Sequence, residues 1–165
     1  MKSTIYTYVV SVVLSVILFM GCKSSMVIEK VDYSQSIESV ITPNEDGLVK
    51  DIQRGLTFNI KPLQYAETQD TSEITTKQVR YIRGQEGYYY ITAPNYKNVY
   101  VMAPEKGKLQ LKEKLAVSES GIEKPALNQR ASHVQLLSRT SGDSWKLYPE
   151  KAKKNSSQIV KKEGN

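Results

Sequence analysis

From Leu56 onward the chain sets apolar and polar residues in alternation, in short runs with a period of two. Leu56, Phe58 and Ile60 interleave with Thr57, Asn59 and Lys61, which places three apolar side chains on one face of a strand. Pro62 then limits that strand or puts it at a sheet edge. Residues 75–83 predict a second strand with Val79 and Tyr81 on one side. Gly84-Gln85-Glu86-Gly87 predicts a turn, and residues 88–92 (Tyr-Tyr-Tyr-Ile-Thr) are strong β formers, so these two strands are expected to form a hairpin. Residues 93–98 read as a loop, 99–102 as a strand, 104–107 as a turn, and 108–112 as another alternating segment that 115–117 continue after a bulge. Residues 121–130, with Pro125, read as a long connection. Residues 133–137 and 145–148 predict closing strands joined at Thr140-Ser141-Gly142-Asp143. Around 40–54 the pattern is ambiguous, because Leu48 and Ile52 have helical spacing while Pro43-Asn44-Glu45-Asp46-Gly47 is a turn. There is no long amphipathic helical pattern. Short strands with short connections predict an all-β fold, a small antiparallel sandwich or barrel-like domain.

The N-terminus carries a different pattern. From Ile5 to Gly21 the chain is apolar and uncharged, with Lys2 before it and Cys22, the sole cysteine, directly after it. A positive end, an apolar core and a small residue before a cut are the requirements of a secretory signal. A thiolate is the side-chain nucleophile suited to attack an activated diacylglycerol donor. Gly21-Cys22 behind such a run resembles a bacterial lipoprotein signal. The family usually has Leu three places before the cysteine and a small residue next; Phe19 and Met20 stand in those places here. The resemblance implies cleavage between Gly21 and Cys22, acylation of Cys22, and a cell-envelope protein anchored to a membrane by lipid. Lys23-Ser24-Ser25 follows, with no Asp beside the cysteine, which implies the outer membrane, facing the periplasm. As an uncleaved transmembrane anchor the run only just reaches spanning length. Behind an ordinary signal peptide, a lone free thiol in an oxidising compartment would be an odd choice.

Composition narrows the rest. The 165 residues hold 23 Lys and Arg against 17 Asp and Glu, a net charge of +6. The organisation expected is a signal peptide over 1–21, a lipidated N-terminus and tether over 22–36, one β-rich domain over 37–149 and a disordered basic tail over 150–165. The cations are scattered and the signal argues for export, so nucleic acid is not an expected partner. Lys151, Lys153, Lys154, Lys161 and Lys162 could attract anionic headgroups or acidic envelope polymers, although a solvated tail explains them too.

No catalytic motif emerges. Nucleophilic catalysis by Ser or Cys most often needs a histidine base. The single histidine, His133, falls in a predicted strand beside Ser132, and neighbours on a strand point to opposite faces. One His and one acylated Cys cannot build the usual zinc site, and there is no phosphate-cradling or dinucleotide-binding loop. Glu67, Asp70, Glu73 and Glu86 lie in or beside turns. The stretch from Thr42 to Gly47, with Asp51 beyond it, resembles the opening of gliding-motility-associated β-sandwich modules, with Glu45 in place of their Gly; turn chemistry already accounts for it. Residues 133–147 resemble the end of a ricin-type β-trefoil repeat, but Asp143 replaces the Gln of its Gln-x-Trp signature, so no sugar-binding residues carry over. The surface candidate is aromatic: Tyr88, Tyr89, Tyr90, Tyr96 and Tyr100, with Trp145, suit protein interfaces and sugar stacking. The expected protein uses no metal or cofactor and does no chemistry. It binds an envelope protein, as part of an assembly or secretion machine, or in the alternative a cell-wall or dietary glycan; a small membrane-held hydrolase or inhibitor ranks third.

Overall fold

The computed structural model describes residues 37–155, so the signal segment, Cys22 and residues 156–165 lie outside the described residues. Eleven strands and one short helix follow in order: β1 (Ser39–Ile41), β2 (Leu48–Asp51), β3 (Leu56–Asn59), α1 (Lys61–Thr68), β4 (Val79–Arg83), β5 (Tyr89–Thr92), β6 (Asn98–Glu105), β7 (Lys108–Ala116), β8 (Pro125–Arg130), β9 (His133–Ser138), β10 (Ser144–Tyr148) and β11 (Lys151–Lys154). They form a five-stranded sheet in the order β1-β4-β5-β6-β7, a four-stranded sheet β11-β10-β9-β8, and a β2-β3 ribbon. Every pairing is antiparallel. The architecture is the expected all-β sandwich; no closed barrel forms.

Alternation dictates how the layers stack. Ile82, Tyr90, Val99, Val101 and Leu115 of the five-stranded sheet meet Leu127, Val134, Leu136, Trp145 and Leu147 of the four-stranded sheet in one core. The residues between them, Val79, Tyr81, Ile91 and Tyr100, point the other way into a second core with Val49, Ile60 and Leu63. The β2–β3 ribbon and α1 thus cover the second face of the five-stranded sheet. Its central strands are buried on both sides, which is why β5 reads as an unbroken β-forming run.

Several local features match the expectations from the sequence. The β4–β5 hairpin turns at Gln85-Glu86, inside the predicted Gly84–Gly87 turn and closed by the Gly87 amide on the Gly84 carbonyl at 3.0 Å, and Tyr81 lies opposite Ile91. Lys112 is the extra residue of a bulge: Val101 faces Glu113 while Met102 faces Leu111. Lys106-Gly107 joins β6 to β7 with φ of +48° and +77°, a pair of left-handed positions that a two-residue hairpin needs and that glycine fills without strain.

Other features correct them. Residues 40–54 contain two strands; Asn44 holds the turn between them by accepting from the Asp46 and Leu48 amides at 3.1 and 2.7 Å. Ile52 is 80% exposed, so its helical spacing from Leu48 serves no helix face. β3 ends at Asn59, as the limit set by Pro62 implies, but Pro62 itself lies in the first turn of an unexpected helix, α1, where its missing N–H and fixed φ are suited. The end of the expected connection 121–130 is β8, whose first residue is Pro125, a place where an edge strand tolerates proline. The disordered basic tail expected over 150–165 is corrected at Lys151–Lys154. There β11 pairs with β10, and Ala152 packs against the inter-sheet core.

Candidate functional site

The tyrosine-rich region lies mostly inside the domain. Tyr90, Tyr96, Tyr100 and Trp145 are 0, 4, 1 and 5% exposed, while Tyr88 and Tyr89 are half-buried. The expectation of an accessible aromatic surface is therefore corrected for the first four. The cause is the covering of both faces of the five-stranded sheet: Tyr90 enters one core and Tyr100 the other. In the second core tyrosine suits because a phenol supplies apolar area and a polar tip, whereas the buried Tyr90 hydroxyl has no partner among the described residues. The Tyr100 hydroxyl donates to Glu67 Oε1 at 2.7 Å, Tyr96 shares a hydrogen bond with Thr76 Oγ1 at 2.9 Å, and Tyr81 donates to Asp51 Oδ2 at 2.6 Å. Glu67 also accepts from Asn98 Nδ2 and the Lys97 amide, both at 2.8 Å, which pins α1 to the sheet. Burial pushes the Tyr96 hydroxyl up to about 12.

The Asp51 carboxylate illustrates the electrostatics. It accepts from Tyr81, from Ser39 Oγ at 2.7 Å and from the Arg54 amide at 3.1 Å. The Tyr81 and Ser39 hydroxyls hold its pKa below 3.8. Burial first, and Asp51 second, push the Tyr81 hydroxyl up to about 12. A carboxylate with a depressed folded pKa contributes stability above its unfolded value and loses it as pH falls through the folded one. Asp51→Asn is therefore expected to destabilise the domain by about 1–2 kcal/mol at pH near 6. Urea titrations should show that difference shrinking as the pH drops below 3.8 toward the depressed folded value. A constant difference across that range would refute the role given to Asp51.

Tyr89 leads to the main cavity, an open groove of about 740 Å³. Tyr89, Ile91 and Met102 form its floor on the second face of the five-stranded sheet. Leu109 of β7 lines it from the same sheet, and Leu56 and Phe58 of β3 line it from the ribbon. Leu63, Thr57 and Asn59 also line it, and Lys108 is its only charged lining residue. A general acid–base pair needs two titratable groups in reach of one substrate; this groove offers one lysine. What it offers instead is apolar area, plus the backbone of β3, which has a hydrogen-bonded neighbour on one side only.

A second depression of about 570 Å³ runs past Ser118, Ser138, Ser141 and the edge of Trp145. Lys154 Nζ sits 5.5 Å from the centre of the Trp145 ring and pairs with Asp143 at 3.1 Å. With its ring buried and capped by a lysine, Trp145 presents no face on which a sugar could stack.

Ser132 and His133 do meet, contrary to the expectation from strand geometry. Ser132 belongs to the turn before β9, so strand alternation does not govern it, and its Oγ lies 3.2 Å from His133 Nδ1. Burial, Lys146 and Arg130 lower the His133 pKa, and its ring packs against Tyr148 at 5.8 Å. The groups around this pair are cations and an aromatic ring; no carboxylate among the described residues is bonded to the imidazole to orient it as a base. Among the described residues no three His, Cys, Asp or Glu side chains converge as metal ligands, and no helix is long and apolar enough to cross a membrane. No family model matches the chain, and neither a curated protein nor a solved structure matches it.

Sequence reasoning singled out Tyr89 but missed Phe58, Met102 and Leu109 as its companions. Each was legible as an apolar strand residue. Their convergence depends on how the β2–β3 ribbon docks, and no local pattern encodes that.

Proposed function

We propose that the protein is a lipid-anchored component of the cell envelope, held at the outer membrane facing the periplasm through Cys22, which recognises another protein and performs no chemistry. The observation that carries this reading is the groove: apolar, open along one side, lined by one lysine, and bordered by the free edge of β3. An extended partner segment can add to such an edge through its backbone while alternate side chains enter the groove. A partner in an envelope-assembly or secretion machine fits this mode. The anchor rests on the Gly21-Cys22 pattern behind an uncharged apolar run. Two acyl chains or more hold a protein on a bilayer stably at ~0.8 kcal/mol per buried methylene. Glycan recognition loses its motivation, because Trp145 and three of the clustered tyrosines are core residues.

Two measurements test the proposal. Mass spectrometry of the membrane-extracted protein should find an acylated N-terminal Cys22; an unmodified chain starting elsewhere would remove the anchor. Photocrosslinkers placed at Thr57 of the ribbon and at Lys108 of the sheet, which both line the groove, should both join one apolar segment of a single partner. Met102→Glu puts a carboxylate on the groove floor and is expected to weaken that capture at least tenfold, as loss of a central anchor does. Crosslinks that scatter over unrelated chains, or that survive Met102→Glu unchanged, would discard the groove as the binding site.

A further inference from the structure

The four-stranded sheet has an outward face that no other element among the described residues covers, and its charge is one-sided. Its strands point Arg130, Lys146, Lys151 and Lys153 outward and contain no Asp or Glu; Lys154, opposite Trp145, faces the other way and pairs with Asp143. Because Val134, Leu136, Trp145, Leu147 and Ala152 point inward, the residues between them point out. Register lines these up in two rungs. Asn128, Gln135, Lys146 and Lys153 follow one another across all four strands. In the next rung Arg130 faces His133, whose ring packs on Tyr148, which faces Lys151.

One pair in this array opposes local stability. Lys146 and Lys153 are direct cross-strand partners, and like charges directly opposite each other are destabilising. Lysines on an edge strand discourage edge-to-edge pairing, which explains those of β11. That reason does not reach Lys146, which lies on the inner strand β10. Broken local rules without local compensation mark surfaces kept for a function. His133 lies between these cations: burial first, and Lys146 and Arg130 after it, lower its pKa.

The chain outside the described residues supplies the second observation. Glu38 accepts from the Leu127 amide at 2.8 Å and the Ile37 carbonyl accepts from Arg54 of the β2–β3 turn, so the chain enters the domain between that turn and the β8 edge. Asn155 leaves β11 at the other side. β8 and β11 are the two edges of the four-stranded sheet. Residues 23–36 can extend to about 50 Å at most, which lets a lipid on Cys22 lie under this face.

We propose that the outward face of the four-stranded sheet, through Arg130, Lys146, Lys151 and Lys153, docks flat on the anionic phospholipid headgroups of the membrane that anchors the protein. The occupant follows from charge complementarity, from the absence of carboxylates on the strands, and from the tether joining between the β2–β3 turn and the β8 edge. The inference rests on the anchored reading above. Its consequence is an orientation: the groove lies beyond the five-stranded sheet, on the side opposite the docked face, and stays open to the aqueous phase.

The test uses the acylated full-length protein, whose only native cysteine is then blocked, with a fluorophore on Asn128→Cys in the face or Thr57→Cys at the groove. Each is reconstituted on bilayers of phosphatidylcholine, with or without phosphatidylglycerol, that carry headgroup quenchers. Quenching at position 128 should exceed that at 57 with phosphatidylglycerol and become equal to it without. Each lysine near an anionic surface contributes about fivefold to the docked population. Combined Lys146→Gln, Lys151→Gln and Lys153→Gln, all surface changes, should therefore lower it about a hundredfold, as should high salt. Retention on neutral bilayers with equal quenching at both positions on anionic ones overturns docking and leaves the anchor standing. Loss from neutral bilayers removes the anchor; lysine-dependent capture by phosphatidylglycerol vesicles then still supports docking, and its absence overturns that too.

Discussion

Trp145→Ala is expected to lower folding stability by about 3–5 kcal/mol, the range for truncating a large buried aromatic side chain. Trp145 sits in the inter-sheet core among Leu136, Leu147 and Leu127 at 5% exposure. An alanine would leave a void between two sheets whose separation is fixed by their other contacts, so little collapse can compensate. Since Trp145 is the sole tryptophan, urea unfolding of the variant should be followed by circular dichroism, with wild-type fluorescence as the reference. A loss under about 1 kcal/mol would contradict the burial described above, since that range is typical of surface substitutions. The comparison matters for function. A Trp145→Ala protein that fails to bind any ligand reports a weakened fold, not a lost contact.

An effect of similar size is expected at Gln64, which is 1% exposed on α1. Its Nε2 donates to the carbonyls of Asp70 and Glu73 at 3.2 and 2.7 Å, and its Oε1 accepts from the Thr75 and Thr76 amides at 3.1 and 3.2 Å. That uses both donors and both acceptor sites of the amide. The side chain does for residues 70–76 what a sheet partner would do. Gln64→Leu fills the same space and leaves those backbone groups without their partner, at about 1–3 kcal/mol for each one that water cannot reach. The expected total is about 3 kcal/mol or more, together with lost hydrogen-exchange protection at Thr75 and Thr76. Gln64→Glu keeps the acceptors and loses the donors, so its amides should stay protected better than those of Gln64→Leu. Unchanged protection in both variants would show that another group orders the segment.

The strands that bury one apolar face were legible in the sequence, because a period of two is a local property. Phe58, Val79, Tyr81 and Leu136 all announce themselves that way. Strands with little to bury were not. In β11 Ala152 is the sole apolar residue among lysines, and in β8 the apolar Pro125, Ala126 and Leu127 run together without alternation. The region of the tyrosines was readable but their burial was not, since it depends on a ribbon and a helix arriving from earlier in the chain. Pro62 was legible as the limit of a strand, but not as part of a helix's first turn, because the packing of Leu63 and Ala66 of α1 on the second core decides that. Gln64 carries no local signal for its role, because its four partners lie on a segment whose path it determines. The same holds for the basic face: the lysines are visible in the sequence, yet Lys146 and Lys153 become neighbours only once β11 is known to be a strand.

Glu38 gives the sandwich a mechanical property. β1 spans three residues and pairs only with β4, so tension entering the domain through residue 36 would peel it easily if nothing stood in front. Glu38 stands there. One carboxylate oxygen is held by the Leu127 amide of the opposite sheet and the other by Arg80 of β4 at 2.8 Å. A pull from the tether is thereby shared between both sheets before any rung of β1 is loaded, and what yields first is a side-chain grip that can re-form rather than the β-ladder behind it.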